Sequence, residues 1–185
     1  ELDLEAVQAF FSSGYVPTPR SIFKGIKKLK PASFLIVQDG TITEKEFWQL
    51  SFDKQNISLN DAAQALDHKL DEATKRRLVA DVPVGIFLSG GLDSSTIAYY
   101  AQKNSAQKIK TFSIGFEETS FDESKYAKQV AAYLGTDHYN KVVTGAEAAA
   151  ACAEIFSKLD EPIADPSIIP TYLLSQFTRE KVTVA

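Results

Sequence analysis

Cysteine is nearly missing from this chain, methionine wholly so, and histidine occurs only twice in 185 residues. The single Cys152 excludes an intramolecular disulfide and any cage built from several thiolates. It lies in the run 148–153, which reads as a helix face where a free Cys behaves as a small apolar group. His68 and His138 have no companion at suitable spacing, which argues against a zinc site or a His-based nucleophilic centre. His138 opens a predicted strand and reads as structural; His68 falls on a polar helix face. Charge of one sign is scarce as well: 20 basic against 24 acidic residues leave a net charge of −4. The basic runs Lys24 to Lys30 and Lys75-Arg76-Arg77 are short and interrupted, so they read as solvated faces and not as a nucleic-acid footprint. No stretch approaches the roughly 18 apolar residues that cross a bilayer, and no membrane role is expected. The first residues, Glu1 to Glu5, lack the positive start and apolar run of a signal peptide. A cytoplasmic location is the resulting expectation.

Neither end reads as natural: the chain opens on Glu1 and stops in the alternating run Lys181 to Ala185. The expectation is a piece of a longer chain. Its first 50 residues read as a helix over Leu2 to Phe11 stopped at Gly14, a proline-containing connector, and two strands, Ser33 to Gln38 and Thr41 to Trp48, around the turn pair Asp39-Gly40. A polar stretch, Ser51 to Leu59, makes a natural boundary, which divides the chain into 1–54 and 55–185. From there strand and helix alternate. A helix capped by Ser58 or Asn60 runs to about Ala80, with Ala62, Ala65, Leu66, Leu70 and Leu78 on its apolar side. Then come strands at Val84 to Leu88, Ile109 to Ile114 and His138 to Val143, each followed by a helix. A further helix over Ser167 to Thr178 precedes a last strand. Strands that are apolar runs without polar alternation predict a doubly wound α/β parallel sheet with helices on both faces.

In such a sheet ligands sit beyond the carboxyl ends of the strands, near the switch point. The loop after the first strand is Ser89-Gly90-Gly91-Leu92-Asp93-Ser94-Ser95. Its glycines let the backbone turn and approach a ligand closely, and Ser94 and Ser95 begin a helix whose free N–H groups attract anions. Ser89 and Ser94 add hydroxyls. Asp93 would repel phosphates unless a divalent cation intervened, so it is assigned to Mg²⁺. The alternative is a tight strand-to-helix turn with Asp93 as helix cap. Gly85 and Gly90 have P-loop spacing, but Gly91-Leu92 stands where Lys-Ser/Thr is needed, and G-x-G-x-x-G occurs nowhere.

The run Asp81-Val82-Pro83-Val84-Gly85-Ile86-Phe87-Leu88-Ser89-Gly90-Gly91-Leu92-Asp93-Ser94-Ser95 resembles the signature of the glutamine-dependent asparagine synthetase family, whose ATP-pyrophosphatase loop reads S-G-G-x-D-S. Thr111 to Phe116 resembles the family's second strand. Phe121-Asp122-Glu123, Ala127 and Leu134 to His138 are similar to its next helix and strand, and Gly14 to Pro31 to the end of its glutaminase domain. The resemblance implies an adenine nucleotide alpha hydrolase-like fold for 55–185 and a remnant of the glutaminase domain in 1–54. It also places Ser89, Gly90, Gly91, Asp93 and Ser94 on the pyrophosphate and Mg²⁺ of ATP, and Leu88 and Ile114 on the adenosine. The implied reaction adenylates an acid, aspartate in the best-known members, and ammonia from glutamine then displaces AMP to leave an amide. No side chain is required as nucleophile.

Against the pattern, the amino-terminal Cys of the glutaminase domain is absent, and the family's second acid-rich metal-binding segment and carboxy-terminal helical region do not occur within the chain. The 185 residues alone are therefore expected to be inactive. Pro166 stands where the best-known members carry an Arg for the amino acid, which leaves another acid, such as a sugar acid, open as substrate. A nucleotide-binding module without turnover is the reading from a different class. Glu161 and Asp165 either meet a substrate amine or hydroxyl or cap the helix near Ser167.

Overall fold

The computed structural model describes residues 1–54, 56–118 and 122–185. Phe121, quoted above for its likeness, lies outside the described residues. The chain divides into two compact units, Glu1–Asn56 with Lys158–Pro166, and Ile57–Ser157 with Ser167–Ala185. The first division falls two residues after the boundary expected at 54.

In the first unit, α1 (Leu4–Ser13) begins where the Asp3 carboxylate accepts the N–H groups of Glu5 and Ala6. It ends at Gly14, whose left-handed backbone lets its N–H reach the Phe10 carbonyl. Ala6, Val16 and Ile22 form the small core beneath it. Strands β1 (Ser33–Gln38) and β2 (Thr41–Glu46) pair antiparallel. Asp39 and Gly40 both take positive φ, the demand of a two-residue primed turn. The excursion 158–166 is held here by Ala164 N–H to the Gly14 carbonyl (2.8 Å) and by Glu161, which accepts from Ile22 N–H (2.8 Å) and Lys28 Nζ (2.7 Å).

The second unit opens with α2 (Leu59–Arg77), capped by Ser58, and continues β3 (Gly85–Phe87), α3 (Leu92–Lys103), β4 (Lys110–Phe116), α4 (Ser124–Leu134), β5 (Asp137–Val143), α5 (Gly145–Lys158) and α6 (Ile168–Arg179). The sheet order is β3-β4-β5, all parallel. Thr111, Phe112 and Ser113 are all buried, since both faces of β4 are covered. On one face Ile86 and Leu88 pack with Ala98 of α3 and Ala127 and Ala131 of α4. On the other, Phe112 stacks on Tyr139 and meets Phe177 of α6 edge-on.

The expected last strand is reduced to one parallel bridge, Val184 to Val84, with Gly85 N–H donating to the Val184 carbonyl (2.8 Å). That bridge still fixes topology. The segment after α6 lies on the opposite side of β3 from β4, so the order of the sheet reverses at β3. This makes the end of β3 a switch point, where an open α/β sheet leaves a crevice. The apolar side expected for α2 is only partly covered: Leu66 stays 58% exposed. Its contacts to α3 are polar instead, Asp67 with Tyr100 and Asp71 with Asn104 and Lys103.

Candidate functional site

The Leu88 N–H still bonds the Phe112 carbonyl (2.8 Å), one residue past β3. Beyond it the chain turns sharply at Gly90 into α3. Gly90 has φ +85, and a Cβ there would lie 2.5 Å from the Ala127 nitrogen and from the Tyr126 carbonyl carbon. Both the turn and the seat against α4 therefore require glycine. At Gly91 φ is ordinary and a Cβ would find only Ser89 Oγ, at 3.4 Å. Its missing side chain leaves the start of the helix uncovered.

Helix α3 starts at Leu92, two residues before the expected Ser94, with Gly91 as N-cap and no capping side chain. The alternative of Asp93 as cap therefore falls: Asp93 is the second residue of the helix. The first helical bond runs from Ser95 N–H to the Gly91 carbonyl (3.0 Å). The amides of Leu92, Asp93 and Ser94 precede that ladder and point outward at the positive end of the helix dipole. Ser89 and Ser94 join hydroxyl to hydroxyl at 2.9 Å; Ser94 Oγ also accepts from Ser89 N–H, and Ser89 Oγ accepts from Gly91 N–H. The two hydroxyls thus hold the loop open in one shape as well as presenting polar atoms at its rim.

Asp93 is exposed, and its carboxylate has no hydrogen-bond or ion-pair partner among the described residues. Among those residues no three His, Cys, Asp or Glu side chains converge. One free carboxylate beside the open helix-start amides fits Mg²⁺, which is commonly held by one or two carboxylates together with a ligand's phosphates.

The loop forms one wall of a cavity of about 260 Å³. Phe87, Leu88, Ser89 and Ser94 bound it on the loop side, and Ser113, Ile114 and Phe116 along β4. Glu123 and Ser124 enter from the start of α4 and Leu174 from α6. Apolar walls with a few polar groups at one end suit a nucleoside carrying phosphates. Both residues assigned to adenosine, Ile114 and Leu88, line the cavity; Leu88 is only 1% exposed and also packs with alanines of α3 and α4. Leu88 thus packs in the core at the cavity's edge. A larger cavity, about 470 Å³, runs along α6 and residues 182–185 and takes in no loop residue beyond Phe87 of β3.

The sequence did not single out Ser124 or Leu174, and Ser113, Phe116 and Glu123 stand out there only within likenesses. The usable signal was position: residues at the carboxyl ends of parallel strands and the helix starts that follow them. Asp122 sets that rim. Its carboxylate accepts from Ser124 N–H (3.0 Å) and Ser124 Oγ (3.1 Å), which holds its pKa below the usual carboxylate value. A Cβ on Gly115 would come within 2.9 Å of it.

Beneath the rim, Ser113 Oγ donates to Asn140 Oδ1 (2.6 Å) and so must accept from His138 Nε2 (3.2 Å). His138 Nδ1 is hydrogen-bonded with Thr111 Oγ1 (3.0 Å), which is also bonded to Thr136 Oγ1 (2.9 Å). Burial lowers the His138 pKa, with Lys128 adding to the effect. Glu161 neither caps α6 nor stands free for a substrate, because Ile22 and Lys28 occupy both its oxygens. Helix α6 takes Ser167 as N-cap, without a side-chain bond from it.

The family model described as asparagine synthase matches residues 65–185. The chain is 37% identical over its full length to an asparagine synthetase [glutamine-hydrolyzing] of Bacillus subtilis, of which it covers 29%. It is 35% identical over 99% of its length to a putative asparagine synthetase [glutamine-hydrolyzing] of Methanocaldococcus jannaschii, covering 36% of that protein. Thus it spans about a third of the length of these relatives. Among solved structures, an NH3-dependent NAD synthetase of Campylobacter jejuni aligns at TM-score 0.43 and 15% identity, over 64% of this chain and 52% of that one.

Proposed function

Because this chain belongs to the asparagine synthase family, we propose that it forms the nucleotide-binding part of an ATP-dependent amidotransferase. An acid's carboxylate oxygen attacks the α-phosphorus of ATP, pyrophosphate leaves, and ammonia then attacks the acyl carbon and displaces AMP. Residues 55–185 supply the first portion of the synthetase domain and 1–54 the end of a glutaminase domain that releases ammonia from glutamine. A cytoplasmic location is part of this reading.

One observation carries it: the Ser89–Ser94 loop, at the switch point, puts Ser89 and Ser94 on the wall of a nucleoside-sized cavity, next to the uncapped start of α3 and its exposed Asp93. The Leu92, Asp93 and Ser94 amides and the Ser89 and Ser94 hydroxyls bind the phosphates and stabilise charge as pyrophosphate departs. Asp93 holds Mg²⁺, which when bound neutralises the leaving pyrophosphate. Ile114 and the Leu88 backbone face the adenosine.

Aspartate is the favoured acid. Pro166, standing where an Arg is expected, favours testing other acids beside it. The assay is pyrophosphate release by the complete protein with ATP and Mg²⁺ across a panel of aspartate, other amino acids and sugar acids. Release that depends on one acid is the expected outcome. ATP binding without release for any acid would leave only a binding module.

A further inference from the structure

Among the described residues, Glu123 is the single charged residue lining the cavity. Its carboxylate has no hydrogen-bond or ion-pair partner among the described residues, and only its backbone carbonyl is engaged, by Tyr126 N–H (2.9 Å). The other polar lining groups are committed: Ser113 to Asn140, Ser124 to Asp122, and Ser89 and Ser94 to each other. Among the described residues, Glu123 is thus the free pair of side-chain acceptors in this space. Its position along the wall is set by Gly90, which seats the phosphate loop against Tyr126 and Ala127. Glu123 precedes that seat by about one turn of α4, roughly 5 Å along the axis. A carboxylate so placed is unsuited to the phosphates themselves, which it repels, and suited to hydroxyl donors one unit further along a nucleotide. The acidic residue of dinucleotide folds meets a ribose by the same chemistry.

We propose that Glu123 accepts hydrogen bonds from the ribose hydroxyls of the bound nucleotide and selects ribonucleotides over deoxyribonucleotides. The inference rests on the ATP reading of this cavity. A hydrogen bond to a charged acceptor is worth about 1.5–3 kcal/mol, so loss of one hydroxyl weakens binding roughly tenfold or more.

The test is equilibrium binding of ATP, 2′-deoxy-ATP and 3′-deoxy-ATP, with Mg²⁺, to the full-length protein and to Glu123→Ala and Glu123→Gln. Expected are weaker binding of at least one deoxy analogue by the unaltered protein and binding of all three within twofold by Glu123→Ala. Equal binding of all three by the unaltered protein, or discrimination kept by Glu123→Ala, overturns the inference while the ATP reading stands. A Glu123→Ala effect confined to the KM of the acid overturns it in favour of a substrate ammonium group. If the unaltered protein binds no nucleotide, the ATP reading itself fails. Glu123 is exposed, so circular dichroism of both variants is expected to match the unaltered protein.

Discussion

At Gly90 the backbone is left-handed and the space for a Cβ is filled by the main chain of α4. Gly90→Ala therefore combines a left-handed penalty of about 1–2 kcal/mol with a displacement of α4. Denaturant unfolding of the complete protein is expected to show a loss of about 2 kcal/mol or more. Gly91→Ala, with ordinary φ and open space, is expected to cost under about 1 kcal/mol while weakening ATP binding. The pair separates what the fold requires from what the ligand requires, a distinction two adjacent glycines cannot express in sequence. Asp93 gives the converse case. Exposed and without a protein partner, it contributes little to the fold, so Asp93→Asn is expected to leave stability within about 0.5 kcal/mol. Mg²⁺-dependent pyrophosphate release, in contrast, should be abolished. Turnover that survives the substitution removes Asp93 from the mechanism.

Among the elements, periodicity and turn chemistry made the order of strands and helices legible, because each local signal agrees with the fold. Asp39-Gly40 turns the hairpin, Ser58 caps α2, and the central strand β4 sits between covered faces. Less legible were features set by the partner across the sheet. Leu88 is given to the adenosine by resemblance alone, and its packing with alanines of α3 and α4, beside the cavity it lines, is not visible along the chain. Leu88→Ala is accordingly expected to lower stability by about 2–5 kcal/mol with little change in the KM for ATP, measured where the variant remains folded. His138 likewise reads as structural without revealing how. Burial holds its pKa below the ordinary 6.5. The unfolded chain takes up a proton as pH falls through 6.5, whereas the folded chain resists until the lowered value is reached. This contribution to stability is complete above 6.5 and is lost as pH falls from there toward the folded-state value. Unfolding midpoints of His138→Gln should fall less across that window than those of the unaltered protein. Parallel slopes would show that His138 carries none of the pH dependence.

For the whole molecule, the boundary near residue 55 was visible as a polar, irregular stretch, but the return of 158–166 to the first unit was not. Nothing in the run from Asp160 to Pro166 announces that Glu161 meets a backbone amide 139 residues earlier in the chain; such pairings belong to topology and not to local pattern. The two partners of Glu161 are unequal. Lys28 is 35% exposed, so its ammonium group rehydrates when the partner is lost, and an ion pair that open contributes little. Ile22 is 7% exposed, and its N–H donates to Glu161 Oε1 (2.8 Å), the acceptor that Glu161→Ala removes. An orphaned buried donor costs about 1–3 kcal/mol. Glu161→Gln keeps an acceptor oxygen for Ile22 and gives up only the charge toward Lys28; Glu161→Ala gives up both. In the complete protein Glu161→Ala is therefore expected to destabilise the first unit by about 1–3 kcal/mol, with faster amide exchange at Ile22. Glu161→Gln should stay within about 1 kcal/mol. Equal losses in the two variants would mean that the ion pair, and not the buried amide, holds the excursion in place.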